Sequence, residues 1–159
     1  MNIGIIVYSQ TGNTLSVAQR MQESLIAAGH TVQIGRITLQ QSTGAGTSAP
    51  LADIPSVSGY DAVIFAAPVQ GFSLCRAMTK YLQQLPDLRG LPVACFITQA
   101  LTKKWMGGNH AWNTMRELLL EKGTEPTRIG HVHWRSGERD ALIADAVTGA
   151  MKFAATAKP

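Results

Sequence analysis

The sequence predicts an α/β fold in which a doubly wound parallel sheet carries helices on both faces. Three observations predict it. Apolar stretches of strand length alternate with stretches whose apolar residues recur at helical spacing, which implies parallel βαβ crossovers. Two strand-like runs, Tyr60 to Ala67 and Leu91 to Thr98, are apolar nearly throughout, as strands covered on both faces are. A glycine-containing loop of small polar residues follows the first strand and leads directly into a helix. Sheets of this kind hold ligands beyond the carboxyl ends of their strands.

The elements follow in order. Ile3-Gly4-Ile5-Ile6-Val7-Tyr8 reads as strand one. Val17, Ala18, Met21 and Leu25 then recur at helical spacing, with Gly29 as the stop signal. Thr31 to Ile37 alternates, Val32 and Ile34 sharing a face, as in an edge strand. Residues 38–59 are rich in Ser, Thr, Gly, Ala and Pro, which predicts a long surface connection with at most one weak helical turn. Strand three is the run at 60–67. Ala77, Met78, Tyr81, Leu82 and Leu85 form a helical stripe closed by Pro86, and strand four is the run at 91–98. Trp112, Met115, Leu118 and Leu119 mark a helix ending near Gly123. Arg128 to Trp134 is the fifth strand, and Leu142, Ile143, Ala146, Val147 and Met151 mark the last helix. No internal repeat interrupts this order, so residues 1–159 are expected to form a single domain.

Composition bounds the function. With 45% hydrophobic and 15% charged residues, the chain can bury a full core and is not intrinsically disordered. No apolar run approaches the roughly 20 residues of a membrane span. The short apolar run at the start lacks the basic flank and cleavage site of a signal peptide, so a cytoplasmic location without membrane insertion is expected. Cys75 and Cys95 form no CxxC pair, which argues against a disulfide framework or a thiolate metal site and makes each a small core residue. The net charge of +4 comes from basic residues scattered singly, apart from Lys103-Lys104, and not from a basic face. Nucleic acid is not an expected partner.

The loop after strand one reads Ser9-Gln10-Thr11-Gly12-Asn13-Thr14. A helix N-terminus offers unpaired N–H groups and the positive end of the macrodipole, and Gly12 permits close backbone approach. The hydroxyls of Ser9, Thr11 and Thr14 can donate to phosphate oxygens. Helix capping needs one such residue, whereas five polar side chains and a glycine fill these six positions. The loop contains no Lys or Arg, which suits a phosphate monoester held by neutral donors and not phosphoryl transfer. The Walker and GxGxxG patterns are both absent, so nucleoside triphosphates and Rossmann-bound NAD are poor candidates.

Residues 9–14 resemble the phosphate loop of the flavodoxin family, which runs Thr or Ser, any residue, then Thr-Gly-Asn-Thr, directly after strand one. The order of elements follows that family over nearly the whole chain, without the long insertion in strand five, as in its short-chain branch. The resemblance implies a three-layer flavodoxin-like sandwich with a five-stranded parallel sheet of order 2-1-3-4-5. It also implies FMN as cofactor and electron transfer as the task. By the same resemblance, Pro68, Val69, Gln70, Gly71 and Phe72 after strand three would flank the flavin ring. Gly71 would be the glycine whose peptide flips toward flavin N5 in the one-electron state, or else an ordinary turn glycine. Phe72 either packs on the ring or begins a helix and joins the core.

After strand four, a long connection precedes the next helix, and such length marks a binding loop. The resemblance implies that the backbone of Thr98, Gln99, Ala100 and Leu101 meets the pyrimidine edge of the flavin. Flavodoxins often place a tyrosine here to stack on the ring. This chain has Gln99, Ala100 and Leu101 instead, so stacking comes from Trp105, from Phe72, or not at all, and Trp105 either covers the ring or packs the loop down. Residues 9–14, 68–73 and 98–110 contain no Asp or Glu, whereas flavodoxins typically crowd acidic residues near the ring.

His131 and His133 lie two apart on a strand, as metal ligands could, but a third ligand is missing and paired, satisfied histidines are expected. No catalytic triad and no paired carboxylates can be assembled, so no catalytic residue is assigned. The expected function is an FMN-binding redox protein, most simply a flavodoxin-type electron carrier serving redox partner proteins. The alternative is an NAD(P)H- or quinone-dependent FMN oxidoreductase that takes a small redox substrate directly.

Overall fold

The computed structural model describes residues 1–41, 49–101 and 107–157. Strands β1 (Asn2–Val7), β2 (Thr31–Arg36), β3 (Ala62–Gln70), β5 (Val93–Gln99) and β6 (Thr127–His133) pair in parallel in the order β2-β1-β3-β5-β6. A two-residue strand, β4 (Ser73–Leu74), folds back antiparallel on the end of β3. With that hairpin set aside, the order is the expected 2-1-3-4-5.

Side-chain alternation divides the core between the two faces of the sheet. Ile3, Ile5, Ile64 and Phe96 pack with helices α1 (Asn13–Ala27) and α4 (Arg139–Thr156). Val63, Phe65, Cys95 and Ile97 pack with α2 (Arg76–Gln83) and α3 (Gly108–Glu121). The central strands are buried almost throughout, which is why they read as unbroken apolar runs. Both cysteines are free and buried, Cys75 and Cys95 alike. No described helix is long and apolar enough to cross a membrane.

Several boundaries differ from the expected ones. Strand β3 runs on to Gln70, because its last residues pair with β4. Helix α2 ends at Gln83, so Leu85 is buried from the following loop. Helix α3 begins at Gly108, earlier than its apolar stripe indicates. Between β2 and β3 the described residues contain no helix; Leu39 and Leu51 form an isolated antiparallel bridge instead.

One irregularity positions side chains. The β5–β6 register slips between Cys95 and Phe96, which pair with Arg128 and Gly130 and leave Ile129 as the extra residue. Strand alternation would place Arg128 and His131 on opposite faces. The bulge restores them to the same face, toward α3.

Candidate functional site

The strand order reverses between β1 and β3, since the chain leaves β1 for β2 on one side and returns to β3 on the other. At the carboxyl ends of β1, β3 and β5 there is a cleft of about 210 Å³. It is lined by Gln10, Thr11, Asn13 and Thr14, by Pro68, Val69 and Gln70, by Thr98, Gln99 and Ala100, and by Trp134. None of these side chains is charged. A larger cleft, about 360 Å³, lies at the opposite end of the sheet between Ile54 and Leu91, away from the switch point. The smaller one occupies the position where this topology collects ligand-binding loops.

In the first loop, Gly12 is the N-cap of α1 with φ 92°, a left-handed conformation that glycine adopts without strain. A Cβ there would meet nothing within 4 Å, so the position is open as well as left-handed. Ser9 Oγ accepts hydrogen bonds from the N–H groups of Gly12 (3.1 Å) and Leu15 (3.2 Å). Of the N–H groups in the first helical turn that lack an intrahelical acceptor, those of Asn13 and Thr14 are left for a ligand, and both residues line the cleft. The Ser9 hydroxyl therefore braces the loop backbone, and its hydrogen remains able to donate. Thr14 is buried, and its hydroxyl meets that of Thr98 at 2.7 Å, joining the first loop to the third. Gln70 Nε2 donates to Gln10 Oε1 at 2.7 Å and joins the first loop to the second. Thr11 is exposed at the mouth. Neutral donors, a helix N-terminus and an open glycine fit a phosphate monoester.

The second loop holds a tight hairpin. Val69 pairs with Leu74 and Gln70 with Ser73, which leaves Gly71 and Phe72 as the two turn residues. Both have positive φ, 57° and 61°, as a type I′ turn requires. Phe72 neither begins a helix nor joins the core; it is 65% exposed, and α2 starts only at Arg76. Positive φ is costly for an aromatic residue, and such strain concentrates at functional sites.

The third loop leaves β5 at Gln99. The carbonyl of Gln99 accepts from Trp134 N–H (2.7 Å) and that of Ala100 from Arg135 N–H (3.3 Å). Leu101 is half-buried, while Ala100 is exposed. Beneath the loop, His131 and His133 stack with ring centroids 4.4 Å apart. His131 bonds Gln99 and Arg128, and His133 bonds the Leu101 carbonyl. Among the described residues no group of three or more His, Cys, Asp or Glu side chains is placed to hold a metal ion. Arg128 also lies over the Trp112 ring, 5.4 Å from its centroid, and burial draws its guanidinium below the ordinary value. Trp105, like Lys103 and Lys104, lies outside the described residues.

The structure thus brings Gln10, Thr11, Asn13, Thr14, Pro68, Val69, Gln70, Thr98, Gln99 and Ala100 to one cleft. Gly12 caps the adjoining helix, and Gly71 and Phe72 form the neighbouring turn. Trp134 is an unanticipated member, and its position immediately after the fifth strand was the available signal.

Solved structures share this fold. No curated protein matches the chain. Oxidised flavodoxin 2 from Bacillus cereus shares 22% identity, with 98% of this chain and 99% of that one covered and a TM-score of 0.68. A short-chain flavodoxin associated with a non-canonical PDU bacterial microcompartment shares 15%, covering 99% of both chains, with a TM-score of 0.71. A Fusobacterium nucleatum flavodoxin mutant bound to flavin mononucleotide shares 12%, with 99% and 97% covered and a TM-score of 0.64. Residues 4–137 match the family model described as a flavodoxin domain, and the chain belongs to that family.

Proposed function

We propose that this chain, as one flavodoxin-like domain, binds FMN and carries electrons between redox partner proteins. The observation that carries the reading is the loop at residues 9–14. Its left-handed Gly12 and Ser9-braced backbone adjoin, and Asn13 and Thr14 of the first turn of α1 line, a cleft with no charged side chain among the described residues. Asn13 and Thr14 N–H with the Thr11 hydroxyl would hold the phosphate. Residues 68–72 and 98–101 would flank the ring. Bound FMN supplies the one- and two-electron chemistry; the chain's residues bind it, orient it and limit its contact with water.

Binding constants for FMN, FAD and riboflavin test the reading. FMN should bind most tightly, because the loop has donors for a terminal phosphate and lacks the glycine-rich pyrophosphate turn. Riboflavin binding as tightly as FMN would refute the phosphate assignment.

A second reading, an FMN oxidoreductase acting directly on NAD(P)H or a quinone, is favoured by one observation. The third loop presents Ala100, a small exposed side chain, where flavodoxins often stack a tyrosine, as a substrate approaching the ring directly would require. Steady-state NADPH oxidation by the purified, FMN-loaded protein without an added partner would support it. A rate no higher than that of free FMN would favour the carrier.

A further inference from the structure

The groups beneath the third loop fix one another's hydrogens. Arginine has only donors and keeps its proton, so the 2.9 Å contact from Arg128 to His131 Nδ1 makes that nitrogen an acceptor. His131 therefore carries its hydrogen on Nε2 and donates it to Gln99 Oε1 at 2.7 Å. That orients the Gln99 amide, whose Nε2 donates to the Leu101 carbonyl at 2.7 Å. The same carbonyl accepts from His133 Nδ1 at 2.9 Å, which places a hydrogen on that nitrogen. The chain runs one way, from the guanidinium of Arg128 to the peptide of Leu101, and it requires a neutral His131.

Packing holds the chain in place. His131, His133 and Gln99 are 8%, 7% and 4% exposed. Helix α3 begins directly on them: a Cβ at Gly108 would clash with His131 Cε1 and Gln99 Oε1. Stacking of the two imidazoles fixes the ring planes. With Trp134 and Arg135 taking the two preceding carbonyls, the carbonyls of residues 99, 100 and 101 are all held by the protein.

We propose that Arg128, His131, Gln99 and His133 are positioning residues for residues 99–101, setting the backbone of that segment in advance for the flavin ring. The role rests on the FMN reading above. A loop ordered before binding loses less conformational freedom on binding, so the chain's effect is read as ring affinity. With the chain broken, the Leu101 carbonyl is free to turn toward the cleft. Its negative end then opposes charge added to the ring.

The test uses the full chain with His131→Leu, His131→Gln and the near-isosteric Gln99→Glu. His131→Gln keeps a donor toward Gln99, whereas Gln99→Glu loses the donor to Leu101. His131→Leu and Gln99→Glu should weaken FMN and riboflavin by the same factor, at least tenfold, and make the midpoint potential of bound FMN more negative. His131→Gln should return both affinities to within threefold of wild type and restore the potential. Nitrogen-15 NMR of the ligand-free protein should show hydrogen on Nε2 of His131 and on Nδ1 of His133. Wild-type protein that binds no FMN would overturn the FMN reading. Wild-type protein that binds FMN, with Gln99→Glu at wild-type affinity and potential, would overturn the positioning role. Hydrogen on His131 Nδ1 would overturn it as well, whatever the variants do.

Discussion

Thr14 and Thr98 share a 2.7 Å hydrogen bond between buried hydroxyls, tying the first turn of α1 to the end of β5 across 84 residues of sequence. Thr14 thus acts between loops. Replacing either threonine with valine leaves the other hydroxyl buried without its partner, and should destabilise the ligand-free protein by about 1–3 kcal/mol. The double valine variant should lose less than the sum, because matched apolar groups leave nothing unsatisfied. Urea unfolding of the four proteins measures the coupling. Additive losses would show that the two hydroxyls do not depend on each other.

Gly12 separates conformation from space. Its φ of 92° disfavours any residue with a Cβ, yet no atom lies within 4 Å of where that Cβ would sit. Gly12→Ala should therefore cost about 1–2 kcal/mol of backbone strain in the ligand-free protein. Gly12→Asn should cost less, because asparagine tolerates the left-handed region. Both should weaken FMN more than riboflavin, since the side chain intrudes only where the phosphate would lie. Equal losses for the two ligands would place the phosphate elsewhere.

Phe72 stores strain in an exposed turn. At φ 61° and 65% exposure it contributes little to the core. Phe72→Asn should stabilise the ligand-free protein by about 1 kcal/mol. If the aromatic ring is retained for the site, the same change should weaken FMN. Thermal melting with and without FMN reads both effects, and a destabilised ligand-free variant would show that the turn is not strained.

Alkaline pH should destabilise the fold through its buried thiols and phenol. Burial pushes the Cys75 thiol from 9.0 up to about 12, and pushes Cys95 and Tyr81 upward as well. A raised folded-state value means that the unfolded chain loses its proton first. The stability is fully present below about pH 9 and falls as pH rises toward 12, by about 1.4 kcal/mol per pH unit for Cys75 alone. Urea midpoints between pH 8 and 10.5 should fall, and Cys75→Ala should flatten the slope. An unchanged slope would mean that this thiol is not protected.

The sheet was legible because its central strands are buried on both faces, so Tyr60 to Ala67 and Leu91 to Thr98 announce themselves by hydropathy. The loop at residues 9–14 was legible as a candidate site because six consecutive residues carry its pattern. What the sequence conceals is contact across distance. Thr14 with Thr98, and Gln10 with Gln70, meet only when the strand order brings three loops together. The Arg128 contact with His131 was hidden by the bulge at Ile129, which breaks the alternation any strand reading assumes. The turn at Gly71 and Phe72 was hidden because an aromatic residue is a poor turn former, and pairing of β3 with β4 overrides that preference.

The potential of bound flavin should follow the charge carried by the loops around the cleft. Among the described residues no side chain lining the cleft is charged, and no Asp or Glu occurs in residues 9–14, 68–73 or 98–110. Lys103 and Lys104 belong to the third of these segments and lie outside the described residues. A positive charge about 10 Å from the ring, at an effective dielectric near 20, favours an added electron by roughly 1.7 kcal/mol. For one electron that is about 70 mV, and salt reduces it. The more negative of the two one-electron potentials should therefore lie above that of relatives with acidic loops. Changing both lysines to glutamine should lower it, and the shift should shrink as ionic strength rises. The His131→Leu variant also lowers the potential, but through the Leu101 peptide and without that salt dependence. Redox titration of wild type and both variants at two ionic strengths separates the two causes. A potential unmoved by the lysine changes would assign the tuning to the loop backbone alone.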